Sequence, residues 1–337
     1  MPPVSFTPAD AEALKALLPP LAFTGQEGVD VSHPLLQSYY TSYGLDFARR
    51  YPVLAPVMGK VSAAGFDIAT QYWLPVQARG TLVVIHGYYD HVGIYNKVIA
   101  FALEHGLAVL AFDLPGHGLS SGERVAIDSF DQYGDVLNAL LQQARHHLPT
   151  PFFALGQSTG GAVLLNYLWR FDANNKPPLL ERIALCAPLV IPRDWRKRGR
   201  LAYALLHRFV NYLPRGRSYS SHDPEFIRFI DEQDCLQSTQ LSVRWVGAMK
   251  AWDETFRRWP PLARELLIIQ GTEDQTVDWQ YNLAQIRPRL PQAKIVMVEG
   301  AGHQLVNECP RFREQVFVTL RDYFCTMPPN PLSKQTS

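Results

Sequence analysis

The sequence predicts a mostly parallel, doubly wound α/β sheet with a helical insertion, on three observations. Short continuous apolar runs recur along the chain, as strands buried on both faces require. Helix-like segments separate these runs, as parallel neighbours require. Between about Leu189 and Pro261 the rhythm breaks into a helix-rich, aromatic and basic stretch.

Residues 1–57 are polar and proline-punctuated and are expected to form an extension packed on the core. One helix is expected there, from Asp10 to Leu18, stopped by Pro19-Pro20. From Met58 to Leu74 a loose alternation suggests an antiparallel hairpin turning near Ala64-Gly65. The runs Thr81 to Ile85, Leu107 to Phe112, Pro151 to Leu155, Arg182 to Cys186, Leu266 to Ile269 and Ile295 to Val298 are the expected core strands. Among the intervening helices, Phe130 to His147 places Phe130, Tyr133, Leu137, Leu140, Leu141 and Ala144 on one face, with Asp128 or Ser129 as N-cap. The core is therefore expected over 58–188 and 262–326. The insertion 189–261 would be a cap over an active site, and 327–337 a frayed tail.

A chain of 337 residues with 47% hydrophobic content can bury a substantial core. Its formal net charge of +1 gives no global case for a nucleic-acid partner. Cys186, Cys235, Cys309 and Cys325 are widely spaced, which suggests neither a zinc site nor a disulfide framework and fits a reducing compartment. The amino terminus lacks a signal-peptide pattern, and no segment approaches the ~20 apolar residues of a membrane span. A soluble, cytoplasmic protein is expected.

The chemistry begins where the strand Phe152 to Leu155 runs into Gly156-Gln157-Ser158-Thr159-Gly160-Gly161 and then a helical pattern. A serine on a sharp strand-to-helix turn needs very small residues two positions either side. The pattern alone is equally a Gly-rich turn; the strand before it and the helix after it supply the context of a nucleophile elbow. The turn would aim the Ser158 hydroxyl out of the sheet and the Thr159 amide at an oxyanion. A serine nucleophile needs a base and an acid to orient that base, which on such a sheet follow in the order serine, acid, histidine. Asp274 sits at the carboxyl end of a core strand, with Glu273 and Asp278 as close competitors; Asp278 is better read as a cap for a helix starting near Trp279. Of ten histidines, only His303 stands in a glycine-rich loop just after the last strand. The loop His86-Gly87-Tyr88-Tyr89-Asp90-His91 would supply the second oxyanion donor from the Tyr88 amide, with Gly87 allowing close approach of substrate. No metal site is expected, and His86 is read as a loop-positioning residue. The segment Asp113 to Gly122 is read as a structural corner.

These stretches together resemble the α/β-hydrolase superfamily, and within it the monoacylglycerol lipase and lysophospholipase family, also described as serine aminopeptidase-like hydrolases. His86 to Tyr95 is similar to that family's HG-x-x-E/D-H-x-x-x-Y loop, and Asp113 to Gly122 to its D-x-x-G-H-G-x-S-x-G segment; the elbow and the late aspartate and histidine complete the set. The resemblance covers about residues 58 to 325. It implies Ser158 as nucleophile, Asp274 as acid, His303 as base, and Tyr88 with Thr159 as oxyanion donors, without a cofactor. Gln157 and Thr159 stand where the family often carries histidine and methionine, and Tyr88-Tyr89 are paired, so Gly87, Tyr89 and Gln157 are the expected substrate-contacting residues.

Within the insertion, Trp195, Tyr203, Phe209 and Trp245 are expected to line an acyl slot. Arg193, Arg196, Lys197, Arg198, Arg200, Arg215 and Arg217 flank an apolar stretch that would suit peripheral docking on anionic lipid, at about 1 kcal/mol per basic residue. The alternative is a helix packed on the core with a solvated basic edge. The expected activity is hydrolysis of a monoacyl lipid ester, a monoacylglycerol or a lysophospholipid, through an acyl-enzyme. A peptidase, thioesterase or carbon–carbon bond hydrolase would use the same residues, and a ligand-binding or scaffolding protein could keep the fold without turnover.

Overall fold

The computed structural model describes residues 6–325 except 26, 48, 49, 52, 174–176 and 217–219. The expected tail 327–337 and Arg217 thus lie outside the described residues. Among the described residues ten strands form: β1 (Val53–Ala63), β2 (Phe66–Pro75), β3 (Thr81–Ile85), β4 (Ala108–Phe112), β5 (Phe152–Gln157), β6 (Leu180–Cys186), β7 (Tyr212–Pro214), β8 (Gln240–Ser242), β9 (Leu267–Gly271) and β10 (Lys294–Val298). Eight of them make one sheet in the order β1-β2-β4-β3-β5-β6-β9-β10. Only the β1–β2 and β2–β4 pairings are antiparallel; from β4 onward every pairing is parallel.

The apolar runs became strands because both faces of the sheet are covered. Every residue of β3, β4, β5 and β9 is buried, whereas the edge strand β10 is largely half-exposed. The β1–β2 hairpin turns at Ala64 and Gly65, whose φ of 50° and 83° suit a two-residue turn matched to the strand twist. The helix Phe130–Ala144 starts at Ser129, whose hydroxyl accepts from the Asp131 amide while Gln132 accepts from the Ser129 amide. This reciprocal cap selects Ser129 over Asp128 as the N-cap.

Among its described residues the amino-terminal stretch holds two helices, Pro8–Leu17 and Pro34–Tyr43. The second was not expected from the sequence. It buries Leu36, Tyr39, Tyr40 and Tyr43, and Gly44 ends it at φ 64°. The stretch between β6 and β9 contains the helices Arg200–Leu206, Pro224–Glu232 and Val243–Phe256. It also carries the antiparallel pair β7–β8, a feature absent from the helical reading. Among the described residues no helix is long and apolar enough to cross a membrane.

Three distant parts of the chain meet at Asp234. Its carboxylate accepts from His91 Nε2 (2.9 Å), in the loop after β3, and from the Tyr43 hydroxyl (2.9 Å). The His91 and Asp234 side chains are wholly buried. Because the Gly93 amide donates to His91 Nδ1 (3.1 Å), the imidazole proton sits on Nε2 and points at the carboxylate. Asp234→Ala leaves the His91 and Tyr43 donors and the Leu236 amide without their acceptor, at about 1–3 kcal/mol for each that stays unsatisfied. Urea unfolding should show a loss of at least about 2 kcal/mol; an unchanged midpoint would mean water replaces the carboxylate freely.

Candidate active site

Ser158 follows directly on β5 and caps the helix Thr159–Tyr167. Its φ of 54° and ψ of −112° lie outside the regions favoured by side-chain-bearing residues, and the structure around it holds the strain. The Ser158 amide donates to Cys186 O (2.8 Å), and its carbonyl accepts from Leu189 N (3.1 Å) and Ala162 N (3.2 Å). Gly160 explains one glycine of the motif: a methyl group there would fall 2.1 Å from Ile85 O, so the helix can approach the end of β3 only without a side chain.

That approach brings the loop after β3 beside the serine. A methyl group on Gly87 would stand 3.4 Å from Ser158 Cβ. The loop is fixed at several points. His86 Nδ1 meets Gly87 O (2.7 Å) while its Nε2 accepts from the Leu114 amide (2.8 Å), tying this loop to the next. Burial holds the His86 imidazole well below its ordinary pKa, so it stays neutral and keeps that pattern. Tyr88 donates its hydroxyl to Val125 O (2.7 Å), accepts from Ser242 N (3.2 Å) and stacks on Trp245 at 3.9 Å. The side chain of the residue expected to offer its amide is thereby locked to the helix Val243–Phe256. Asp113 accepts from Val92 N (2.7 Å) and Leu119 N (2.8 Å), the bonding of a structural corner.

Asp274 follows β9, and His303 follows β10. His303 Nδ1 lies 2.7 Å from Asp274 Oδ2, and both side chains are buried. Asp274 Oδ1 accepts from Thr276 N (2.8 Å) and Val277 N (3.1 Å), and Gln270 Nε2 reaches Oδ2 at 3.1 Å. Burial alone would push this carboxyl up; the His303 charge and hydrogen bond, with the two amides, hold it below the usual carboxylate range. Asp278 instead caps the helix Trp279–Ile286 by accepting from Tyr281 N (3.3 Å), and Glu273 is exposed.

Ser158, His303, Gly87, Tyr88, Tyr89 and Thr159 all line one cavity of about 380 Å³. Its remaining walls come mainly from the stretch between β6 and β9 and are mostly apolar. Trp195, Tyr203 and Trp245 are in the lining as expected; Phe209 is not, being 83% exposed. The short helix Arg200–Leu206 turns Ala202, Tyr203 and Leu206 to the cavity, while Leu201, Leu205 and, beyond its end, Phe209 face outward. Gln157 is a second correction. It is fully buried on β5, outside the lining, and donates to His303 O (2.8 Å), so it holds the histidine loop rather than meeting substrate.

Sequence reasoning missed other cavity residues. Asp90 is wholly buried in the lining, and burial pushes its carboxyl up against the hydrogen bonds from Gln304 Nε2 (2.9 Å) and the Tyr95 hydroxyl (3.0 Å). Gln304 adjoins His303, and Glu308 accepts from Gly302 N (2.7 Å), so buried polar groups fix the whole loop. Asp90 stands inside the His86–Tyr95 motif, which was the signal available. Among the described residues no group of three or more histidine, cysteine, aspartate or glutamate side chains is arranged to hold a metal ion.

A mostly parallel eight-stranded sheet, with a serine on a strained turn after a central strand and a buried aspartate–histidine pair beyond the last two strands, defines a serine hydrolase of the α/β-hydrolase fold. Residues 76–310 match the family model described as serine aminopeptidase, S33, and the chain belongs to that family. It is 28% identical over 269 residues to the monoglyceride lipase of Homo sapiens, covering 76% of this chain and 86% of that one. Phospholipase YtpA of Bacillus subtilis is 26% identical over 266 residues, 74% of this chain and 97% of the relative. Among solved structures, a soluble variant of monoglyceride lipase from Saccharomyces cerevisiae, in complex with a substrate analog, superposes with a TM-score of 0.67. That match covers 81% of this chain and 97% of that one at 18% identity, a likeness of fold.

Proposed function

We propose that the protein hydrolyses a monoacyl lipid ester through an acyl-enzyme on Ser158. The carrying observation is a mostly apolar cavity onto which Ser158 and His303 both open, with Asp274 2.7 Å from His303 Nδ1. In this reading, Nδ1 is occupied by Asp274, which leaves Nε2 to take the Ser158 proton as the oxygen attacks the ester carbonyl. The oxyanion accepts from the Tyr88 and Thr159 amides, and the imidazolium returns the proton to the departing alcohol. Water, activated by the same imidazole, then releases the fatty acid. The lipase and phospholipase relatives support the substrate class. The stretch 189–261 acts as the cap that supplies the acyl slot. Its outward Leu201, Leu205 and Phe209, flanked by Arg196, Lys197, Arg198 and Arg200, would rest on an anionic lipid surface from which substrate enters.

The test is a series of soluble esters of increasing acyl length. Each methylene buried in the slot is worth about 0.8 kcal/mol, so kcat/KM should rise roughly fourfold per carbon until the slot is full. No preference beyond acetyl would sink the lipid reading.

A further inference from the structure

Arg215 brings a fixed positive charge into the cavity wall. It follows β7, its amide donates to Thr239 O (2.8 Å), and its guanidinium lies 4.2 Å over the Tyr89 ring. The guanidinium also donates to Gln237 Oε1, a neutral acceptor, and among the described residues no carboxylate forms a direct ion pair with it. The side chain is half-buried in a lining that is otherwise mostly apolar, with Leu213, Leu241 and Tyr89 around it. An arginine presents its charge as a rigid planar fork of donors, where a lysine offers a point charge on a flexible stem. The other arginine of the lining, Arg193, is exposed and adjoins Asp194. Asp90 stands on the same wall and its carboxyl feels the Arg215 charge, but its hydrogen bonds come from Gln304 and Tyr95 rather than from the guanidinium. Arg215 is thus a half-buried cation over an aromatic ring, with no direct ion pair to a carboxylate among the described residues and with donors left to offer a ligand in the cavity.

Resting on the ester-hydrolase reading above, we infer that Arg215 recognises a phosphate on the alcohol part of the substrate, so that the site selects acyl esters of a phosphorylated alcohol over neutral ones. The acyl chain takes the apolar wall and cannot satisfy the guanidinium; the alcohol group is the part of the ester free to carry charge. Phosphate oxygens match the arginine fork with two parallel hydrogen bonds.

The experiment compares a 1-acylglycerol 3-phosphate with the matching 1-acylglycerol, both with a short acyl chain and below their micelle concentrations. The quantity is the ratio of their kcat/KM values. The wild-type ratio should exceed one by about 10- to 100-fold, the worth of hydrogen bonds between charged groups. Arg215→Gln should bring the ratio close to one, Arg215→Lys should keep part of it, and added salt should lower it in the wild type. A wild-type ratio at or below one, or a ratio within twofold of wild type in Arg215→Gln, overturns the assignment while leaving ester hydrolysis intact. A wild type that cleaves neither these nor any other acyl ester overturns the ester-hydrolase reading itself, and the Arg215 assignment with it.

Discussion

Ser158→Ala should lower kcat by about 10⁶-fold, the scale on which loss of a nucleophile acts when its base and acid are left with nothing to activate. The fold should survive. The hydroxyl is not what holds the turn: the Ser158 amide and carbonyl bond to Cys186, Leu189 and Ala162, and alanine keeps all three contacts. Alanine also keeps the strain at φ 54°, so unfolding should occur at nearly the same temperature in both proteins. Labelling by a fluorophosphonate probe reads the same residue independently of substrate. Wild type should react at Ser158 and the variant should stay silent. Near-wild-type turnover in the variant would refute the assignment, and a silent wild type would favour a binding protein that keeps the fold.

The sheet was legible because its physics is local. Strands covered on both faces must be apolar throughout, and the runs at β3, β4, β5 and β9 show it without periodicity. The helix Pro34–Tyr43 was hidden by composition: its buried stripe is one leucine and three tyrosines, set among serine, threonine and glutamine. The spacing of Leu36, Tyr39, Tyr40 and Tyr43 is nonetheless helical, and Pro34 and Gly44 mark its ends. In the site, Ser158, Asp274 and His303 could be picked out because each stands just past a core strand, and order along the chain then limits the choice. Gln157 and Phe209 could not be placed that way. Whether the residue before an elbow serine faces the cavity depends on the turn's dihedrals. Which side of a short cap helix faces inward depends on what packs beneath it. Arg215 was visible only as one basic residue among many, since its meaning comes from Tyr89, 126 positions earlier in the chain.

Asp274→Asn should lower kcat by about 10⁴-fold with little effect on KM, and the hydrogen bonds around the carboxylate say why. Oδ1 accepts from two backbone amides, Thr276 and Val277, which do not turn into acceptors. The asparagine oxygen must therefore take the Oδ1 position, which puts the NH₂ group where Oδ2 faces His303 Nδ1. Two donors cannot share that 2.7 Å contact, so Nδ1 must give up its hydrogen and accept. The imidazole proton then sits on Nε2, the nitrogen that has to receive the proton of Ser158. The Gln270 amide, 3.1 Å from Oδ2, meets the same NH₂ group and must also turn away. The binding walls are untouched, which is why KM should hold. Asp278→Asn is the control, because asparagine caps a helix about as well as aspartate and Tyr281 N keeps its acceptor. Equal losses in the two variants, or a smaller loss at Asp274, would transfer the role of acid away from Asp274.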